Sequence, residues 1–368
     1  MNTTAKISDI TINIFEEWKT TNVNKSGSII GQSVQSQNTI KTICFTEHLT
    51  SNTYFTYFGL FGYHNGTISI CNIQQNFIIL QGNFTCFGTL GVVEGQNCVI
   101  YNVQTTIQIP SNNSGTYVGI LSSFMLAENW SVTNITISNS HIYSQLLTGL
   151  ISYINSGAFS EIYIYNSTAN SSGQYNWALS GGLYADSKGY SAQNTLQNTT
   201  VNQCYFENNS LFTNNSVIQA SSGGLIGDSQ DNQIRICNVL LKLCHLSSYG
   251  SATQTQSSGL IAFLYDTVIE INNVQVSHII LDSENLNIAF EGGFIGQSRN
   301  YTININNSKV SNILITISGT PFRVGILFSE TPSVLTATGL SSDGANIING
   351  AAVNNCGNIQ SVIEQNGC

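Results

Sequence analysis

Charged side chains are scarce in this sequence. Only 8% of its 368 residues are Asp, Glu, Lys or Arg, whereas an ordinary globular domain carries about 25%. Hydrophobic residues make up 41%, so the low charge does not indicate disorder, which is typical of chains with few apolar residues and a high net charge. The ten basic residues are scattered and the net charge is −9. No basic stripe is left for a phosphate backbone, which argues against nucleic-acid binding.

The sequence also lacks long apolar runs. No stretch of about 18 or more apolar residues occurs, so no membrane-spanning helix is expected. The first 30 residues lack the apolar segment of a secretory signal, because Thr11, Asn13, Glu16 and Glu17 interrupt it. We therefore expect either an intracellular protein or a segment of a longer gene product.

Amide and hydroxyl side chains take the place of charge, with 45 Asn beside 32 Gly, and they are arranged in a repeat. A small residue, two apolar residues and a fourth, usually small residue recur ten times at a mean step of 33 residues. We expect a partial coil over 1–26, repeats over 27–345, and a partial coil, cut short at its end, over 346–368. The tetrads are Ser28-Ile29-Ile30-Gly31, Gly59-Leu60-Phe61-Gly62, Gly88-Thr89-Leu90-Gly91, Gly119-Ile120-Leu121-Ser122, Gly149-Leu150-Ile151-Ser152, Gly182-Leu183-Tyr184-Ala185, Gly224-Leu225-Ile226-Gly227, Gly259-Leu260-Ile261-Ala262, Gly293-Phe294-Ile295-Gly296 and Gly325-Ile326-Leu327-Phe328.

A second column of residues follows the tetrads at 13 to 17 residues. Apart from Thr42 in the first repeat, its members are all Asn: Asn72, Asn102, Asn134, Asn166, Asn198, Asn238, Asn273 and Asn307. Short runs of β-branched residues precede and follow each Asn, so every repeat reads as three strands separated by turns. Three strands in 33 residues predict one coil of a parallel β-solenoid, and ten repeats predict about ten coils.

Asn is well suited to a corner that recurs in every coil. Its amide donates to the copy on one side and accepts from the copy on the other, and it tolerates the left-handed backbone of a sharp corner. A charged residue there would face like charge in the next coil. We therefore predict an internal Asn ladder, with a solvent-facing or ligand-facing row as the alternative.

The best tetrads resemble a known family. Gly59-Leu60-Phe61-Gly62-Tyr63-His64-Asn65-Gly66-Thr67-Ile68 and Gly223-Gly224-Leu225-Ile226-Gly227 are similar to the GLUG-motif repeat, and the resemblance covers roughly residues 27 to 345. Several copies replace the second Gly with Ser, Ala or Phe. The resemblance implies a right-handed parallel β-helix and a large surface or secreted protein of bacteria or anaerobic protists. It supplies no catalytic residues.

Three repeats are longer than the others. The distance from the Asn column to the next tetrad rises to 26, 21 and 20 residues in the repeats that follow Asn198, Asn238 and Asn273. The extra residues predict neighbouring loops around 205–219, 245–257 and 282–290. Loops stacked on one side of a rod are a usual place for recognition. Their aromatic residues are candidate contacts for a neutral sugar or a protein: Tyr205, Phe206, Phe212 and Tyr249.

Asp186 and Asp228 occupy the same position after two successive tetrads. If they lie on adjacent coils, mutual repulsion would raise one carboxyl pKa, which is how a general acid and base pair is made. The three Arg are far apart and the five His are isolated, so hydrogen bonds in turns are the simpler role for these Asp residues. The turn from Asp228 to Asp231 also has the residue types of a weak Ca²⁺ site.

The nine cysteines form no recognisable framework. Their number is odd and no Cys-x-x-Cys pair occurs, so neither a closed disulfide set nor a zinc site is predicted. Cys204 and Cys244 each follow a column Asn by six residues, and we expect them as buried thiols stacked on neighbouring coils. Cys237, Cys244 and His245 match no zinc spacing. No metal and no cofactor is predicted.

Two functions from different classes follow. The first is a non-catalytic protein, on the cell surface or secreted, that acts in adhesion or structural display and binds a glycan or a host or cell-surface protein through its lateral face. The second is a polysaccharide-active lyase or hydrolase with Asp186 and Asp228 as acid and base.

Overall fold

The chain folds as a parallel β-solenoid. The computed structural model describes residues 4–14, 23–25, 30–58, 61–109, 116–127, 130–173, 177–187, 197–215, 217–230, 232–251, 253–285, 288–299, 301–318, 322–330 and 334–353. The structure is 80% strand, with no helix in the described ranges. The predicted fold class is confirmed: stacked parallel coils form one continuous sheet.

Five strands make up the N-terminal part: β1 Thr4–Ile14, β2 Val23–Lys25, β3 Ile30–Phe58, β4 Phe61–Phe87 and β5 Leu90–Gln108. Each of β3, β4 and β5 runs unbroken for much of a repeat, and they pair in parallel in that order. Residues 4–14, predicted as part of an incomplete coil, stack in parallel on β3.

Seven turns follow, and their sides are separate strands. The first two turns are β6 Tyr117–Met125, β7 Ser131–Ser138 and β8 His141–Ser144, then β9 Leu147–Ile154, β10 Gly157–Tyr165 and β11 Thr168–Gly173. The third and fourth are β12 Trp177–Gly181, β13 Tyr184–Ser187, β14 Gln197–Glu207 and β15 Ser210–Asn215, then β16 Gln219–Gly223, β17 Ile226–Gln230, β18 Asn232–Lys242 and β19 His245–Gly250. The fifth and sixth are β20 Gln254–Ser258, β21 Ile261–Tyr265 and β22 Val268–Asn285, then β23 Ala289–Gly292, β24 Ile295–Arg299, β25 Thr302–Asn306 and β26 Lys309–Ser318. The seventh is β27 Phe322–Gly325, β28 Val334–Thr338, β29 Ser341–Asp343 and β30 Ile347–Ile348, with β31 Ala351–Ala352 antiparallel to β30.

The structure differs from the predicted ten coils, because about seven turns are divided into separate sides. The first three tetrads lie at or beside the ends of β3, β4 and β5, which continue the stack without dividing into separate sides. The predicted long loops are strands for the most part: residues 210–215 form β15, residues 245–250 form β19, and residues 282–285 end β22. The extra length therefore supplies sides of a turn and not projecting loops.

The core is a set of apolar columns that run along the solenoid axis. One column passes through Ile100, Val132, Phe159, Val201, Ile236, Ile271 and Ile305, which pair in register on adjacent turns. All seven are almost completely buried. Each such side chain contributes about 1.5–3 kcal/mol on burial. Alternate residues of the same strands point outward, which places a second set of columns on the surface.

Candidate ligand-binding face

Two corners of each turn have a left-handed backbone. At the first corner φ is positive at Asn72, Asn102, Asn134, Glu161, Gln203, Asn238, Asn273, Asn307 and Gly339. At the second corner it is positive at Asn139, Asn166, Asn208, Leu243, His278, Asn312 and Gly344. Asn and Gly dominate both sets because other side chains are strained there. The strand registers align the members of each set on successive turns.

Six of the eight predicted ladder residues lie at the first corner. Asn166 is at the second corner instead, and Asn198 is in β14, paired with Gln233, with an ordinary strand backbone. Glu161 and Gln203 fill the first corner of those two turns.

Amide side chains bond along each corner, but on the surface. Asn134 Nδ2 donates to Asn102 Oδ1 at 3.3 Å, and Asn102 donates to Asn72. Asn273 Nδ2 donates to Asn238 Oδ1 at 2.8 Å. The side chains of these residues are exposed. The row of amides therefore faces solvent, as in the alternative interpretation, and is not an internal ladder.

A shallow depression of about 380 Å³ lies beside the first corner. Its lining is neutral: Asn72, Ile73, Gln74, Asn102, Val103, Gln104, Asn134 and Thr136. Gln74, Gln104 and Thr136 occupy one outward column, two residues after the corner, on three successive turns. Amide and hydroxyl groups of this kind donate and accept hydrogen bonds without contributing charge.

The same outward column continues into aromatic residues. Thr136 pairs with Tyr163, Tyr163 with Tyr205, and Tyr205 with Leu240. We call the outward surface between the first and second corners the intercorner face; its main column is Gln74, Gln104, Thr136, Tyr163, Tyr205, Leu240, Gln275 and Lys309. Tyr163 is 41% exposed, and Tyr205 lies on the next turn above it.

Charged neighbours fix the position of Tyr205. Its hydroxyl donates to Glu207, whose carboxylate also accepts from Lys242 Nζ at 2.9 Å. Lys242 Nζ lies 5.3 Å from the centre of the Tyr205 ring. The hydrogen bonds from Tyr205 and Lys242 lower the pKa of Glu207, and the same two partners raise the pKa of Lys242. These contacts hold the Tyr205 ring in the orientation that the structure shows.

The other predicted aromatic contacts are elsewhere. Phe206 is buried in the core and cannot contact a ligand. Phe212 in β15 and Tyr249 in β19 pack with ring centres 5.3 Å apart on the side that follows the second corner. The four aromatic residues predicted as one site are therefore divided between the intercorner face, the core and a neighbouring side.

Asp186 of β13 and Asp228 of β17 lie away from the intercorner face. We call the region between the strand column of β12, β16 and β20 and that of β13, β17 and β21 the crease. Tyr184 pairs with Ile226, and continuing that register puts Asp186 beside Asp228 on the adjacent turn. Below them Asp186 pairs with Tyr153, whose pKa is raised by burial and by the Asp186 charge.

The crease is filled by its own side chains. Asp228 is only 3% exposed, and Gln256 Nε2 donates to Gln297 Oε1 at 2.8 Å across it. Lower down, Leu147 and Leu179 pack against Tyr117 and Tyr153. Asp231, the other end of the considered Ca²⁺ turn, is outside the described residues. Within those residues no group of three or more His, Cys, Asp or Glu side chains is placed to hold a metal ion.

The two cysteines expected to stack do not. Cys204 pairs with Val239 and not with Cys244, which lies after the second corner. Both are buried free thiols, and burial raises the pKa of Cys204 to about 12 and that of Cys244 to about 11. Their place is in the core.

Sequence reasoning missed Gln74, Gln104, Tyr163 and Leu240. A signal for them was present: each stands two residues after a first-corner residue, which is the next outward position of a strand. The signal was hidden where Glu161 and Gln203 replace Asn at the corner.

Comparison with known protein families, curated proteins and solved structures finds no match to this chain. The resemblance to the GLUG-motif repeat therefore stays a prediction. In the part of the chain that the structure describes, no helix is long and apolar enough to cross a membrane.

Proposed function

We propose that this chain is a non-catalytic rod, displayed on a cell surface or secreted, that binds a neutral glycan along its intercorner face. The observation that carries the proposal is the continuous outward column in which three rungs of amide and hydroxyl groups lead to Tyr163 and Tyr205 on the next two turns. Sugar hydroxyls pair with neutral amides, and the apolar faces of sugar rings pack on aromatic rings.

The lack of charge favours a neutral ligand. The depression beside the first corner has a neutral lining, so an anionic polymer would gain little there. Glu207 and Lys242, which border Tyr205, are paired with each other at 2.9 Å. A linear polymer fits better than a compact ligand, because equivalent groups repeat along the axis at about 4.8 Å per turn.

The test is a binding screen of the purified chain against neutral glucans, mannans, galactans and chitin oligomers. For the glycan that binds, Gln104→Ala and Tyr163→Ala are each expected to weaken binding about fivefold or more, which corresponds to an interface residue that contributes over about 1 kcal/mol. Tyr265→Ala is the matched control, since Tyr265 is similarly exposed, at 37%, but lies in β21 on another side. Equal binding by all three variants would contradict the proposal.

A second candidate is polysaccharide cleavage in the crease. The adjacency of Asp186 and Asp228 on neighbouring turns favours it, since two close carboxyls ionise at different pH values and can act as acid and base. The same panel is assayed for new chain ends. Turnover that disappears in Asp228→Asn while binding persists would establish an enzyme, whereas binding without turnover supports the rod.

A further inference from the structure

A chain of hydroxyl groups runs inside the solenoid along β12, β15, β16, β19 and β20. Ser180 Oγ lies 3.1 Å from Ser222 Oγ, and Ser222 lies 3.3 Å from Thr213 Oγ1. Thr213 donates to Ser248 at 3.0 Å, and Ser257 donates to Ser248 at 3.0 Å. All five side chains are buried. This hydroxyl spine links three successive turns, whereas the core column from Ile100 to Ile305 is apolar.

Glu291 ends the spine. Thr148, Ser180, Ser222, Ser257 and Glu291 occupy one column on five successive turns. A neutral hydroxyl therefore stands at this position in four turns, and a carboxyl stands there in the fifth. The next turn is apolar, since Glu291 pairs with Val324 and the neighbouring Ser283 pairs with Ile317.

The Glu291 carboxyl has no exposure to solvent, and within the described part of the chain neither of its oxygens accepts a hydrogen bond of ordinary geometry. Among the described residues it forms no ion pair. The side chains that face it are the hydroxyls of Ser257 and Ser283 and the Asp282 carboxylate. An isolated carboxylate in such a place is very unfavourable. A neutral carboxylic acid is tolerated, and its O–H can donate a hydrogen bond to a nearby oxygen.

We propose that Glu291 is held as a neutral acid in the folded solenoid and makes the turns around it a pH-sensitive segment that loosens in alkali. Burial raises the pKa of Glu291 well above its usual value of 4.5, and Asp282 adds to the rise, while the hydroxyls of Ser283 and Ser257 oppose it. The proposal is independent of the proposed glycan binding.

The direction of the pH effect follows from proton linkage. Above about pH 4.5 the unfolded chain releases the Glu291 proton, whereas the folded chain keeps it until the raised pKa is reached. The folded state therefore binds more protons, and its stability falls as the pH rises through that window. The contribution of the Glu291 proton to stability is fully present only below the pKa that Glu291 has in the unfolded chain, about 4.5.

Other charged groups face this region and need controls. Asp282 in β22 is paired with His245 of β19 at 2.6 Å, and that pair carries opposite charges only when His245 is protonated. Tyr249 of β19 is also close, and burial raises its pKa. Arg323 of β27 points to Glu330 and to the Phe290 ring, on the outer side of the strand. Glu284 is exposed in β22.

The experiment measures the denaturant midpoint of the full chain from about pH 5 to pH 9 for the wild type and for Glu291→Gln. We expect the wild-type midpoint to fall as the pH rises, and the fall to be reduced in Glu291→Gln, with the variant the more stable protein at the alkaline end. Glu284→Gln, His245→Gln and Tyr249→Phe should each retain the steep wild-type fall. Glu291→Thr, which restores the residue type of the equivalent position in β9, provides a second neutral variant if Gln does not fold.

Two further measurements test whether Glu291 is protonated and whether the turns around it loosen. Infrared spectra at pH 7 should show a protonated carboxyl band that is absent from Glu291→Gln. Amide protection factors in β20, β23 and β27, which correct for the base-catalysed intrinsic exchange rate, should fall in alkali only in the wild type. Identical pH profiles for wild type and both Glu291 variants would overturn the proposal. So would stabilisation by added Ca²⁺ or K⁺ at neutral pH that depends on Glu291, since it would show a carboxylate with a bound cation.

Discussion

Asn208 Nδ2 donates to Asn166 Oδ1 at 2.8 Å, although 42 residues separate the two in sequence. Both have a left-handed backbone, with φ of 52° and 50°, and both stand at the second corner of adjacent turns. A corner amide thus has two roles at once: it relieves the strain of the bend and it joins one turn to the next. Amide bonding of this kind is strongest where several Asn follow one another.

Asn102 is the test of this double role at the first corner, where it bonds to both Asn72 and Asn134. Asn102→Ala should lower the free energy of unfolding by about 1–3 kcal/mol, because it removes two exposed hydrogen bonds and the short polar side chain that lets Asn tolerate a left-handed backbone. Asn198→Ala is the control, since Asn198 is exposed in an ordinary strand, and it should change stability by about 0.5 kcal/mol or less. Equal effects in urea unfolding would contradict the account.

Leu243 is a corner residue at which a substitution should raise the stability of the fold. It has φ of 55° and stands between Asn208 and His278 at the second corner, with its side chain 51% exposed. Leu243→Asn should raise the free energy of unfolding by about 1 kcal/mol, because Asn tolerates the left-handed backbone and its amide can bond to Asn208. A lower unfolding midpoint in the variant would show that the Leu side chain has a packing role that outweighs the strain.

The glycines of the tetrads are required by close approach of backbones. A Cβ on Gly224 would lie 2.1 Å from the carbonyl oxygen of Gly259 on the next turn. Gly224→Ala should therefore destabilise the fold by about 2 kcal/mol or more, since backbone must move to admit the methyl group. Ser258→Ala, one residue before Gly259, loses only the 3.2 Å bond to Phe294 O and should cost about 1 kcal/mol. Thermal unfolding of the two variants gives the comparison.

His64 should make the N-terminal part of the solenoid sensitive to acid. It is fully buried, and burial lowers its pKa to about 4. Because the folded state binds fewer protons than the unfolded chain, stability is fully present above about pH 6.5 and is lost as the pH falls toward 4, by roughly 3 kcal/mol in total. His64→Val, which copies Val93 of the next turn, should flatten this acid limb.

The control for that experiment is His141→Gln, which alters an exposed histidine bonded to Thr168 at 2.8 Å. It should leave the acid limb unchanged. An acid limb that survives in His64→Val would assign the loss of stability to other groups.

The sequence was sufficient for the period, the parallel solenoid and the need for Asn at a corner, because each depends on a pattern that recurs in every turn. It was not sufficient to tell two corners apart, since both require a left-handed residue and both use Asn. Asn166 was therefore assigned to the first corner, where the structure has Glu161. Composition gave no hint that Glu or Gln would occupy such a position.

The candidate site shows the same limit. Tyr205 is predicted because it falls in the first of the three long segments, 205–219. Tyr163, its aromatic neighbour along the column, can be recognised only when Glu161 is known to be a corner. Phe206 was grouped with Tyr205 although adjacent strand residues point to opposite sides. The tetrad register alone predicts that Asp186 and Asp228 are adjacent, and the structure pairs Tyr184 with Ile226, two residues before each of them.

The central claim is that equivalent residues of successive repeats stand over one another, and distances along one outward column test it most directly. Spin labels attached through an introduced keto amino acid avoid the native thiols. From Gln104 to Gln275 the column takes five steps, and to Lys309 six steps, so dipolar spectroscopy should give about 24 Å and about 29 Å at roughly 4.8 Å per step. Distances that do not increase by one strand spacing per repeat would contradict the stacked register and the intercorner face built on it.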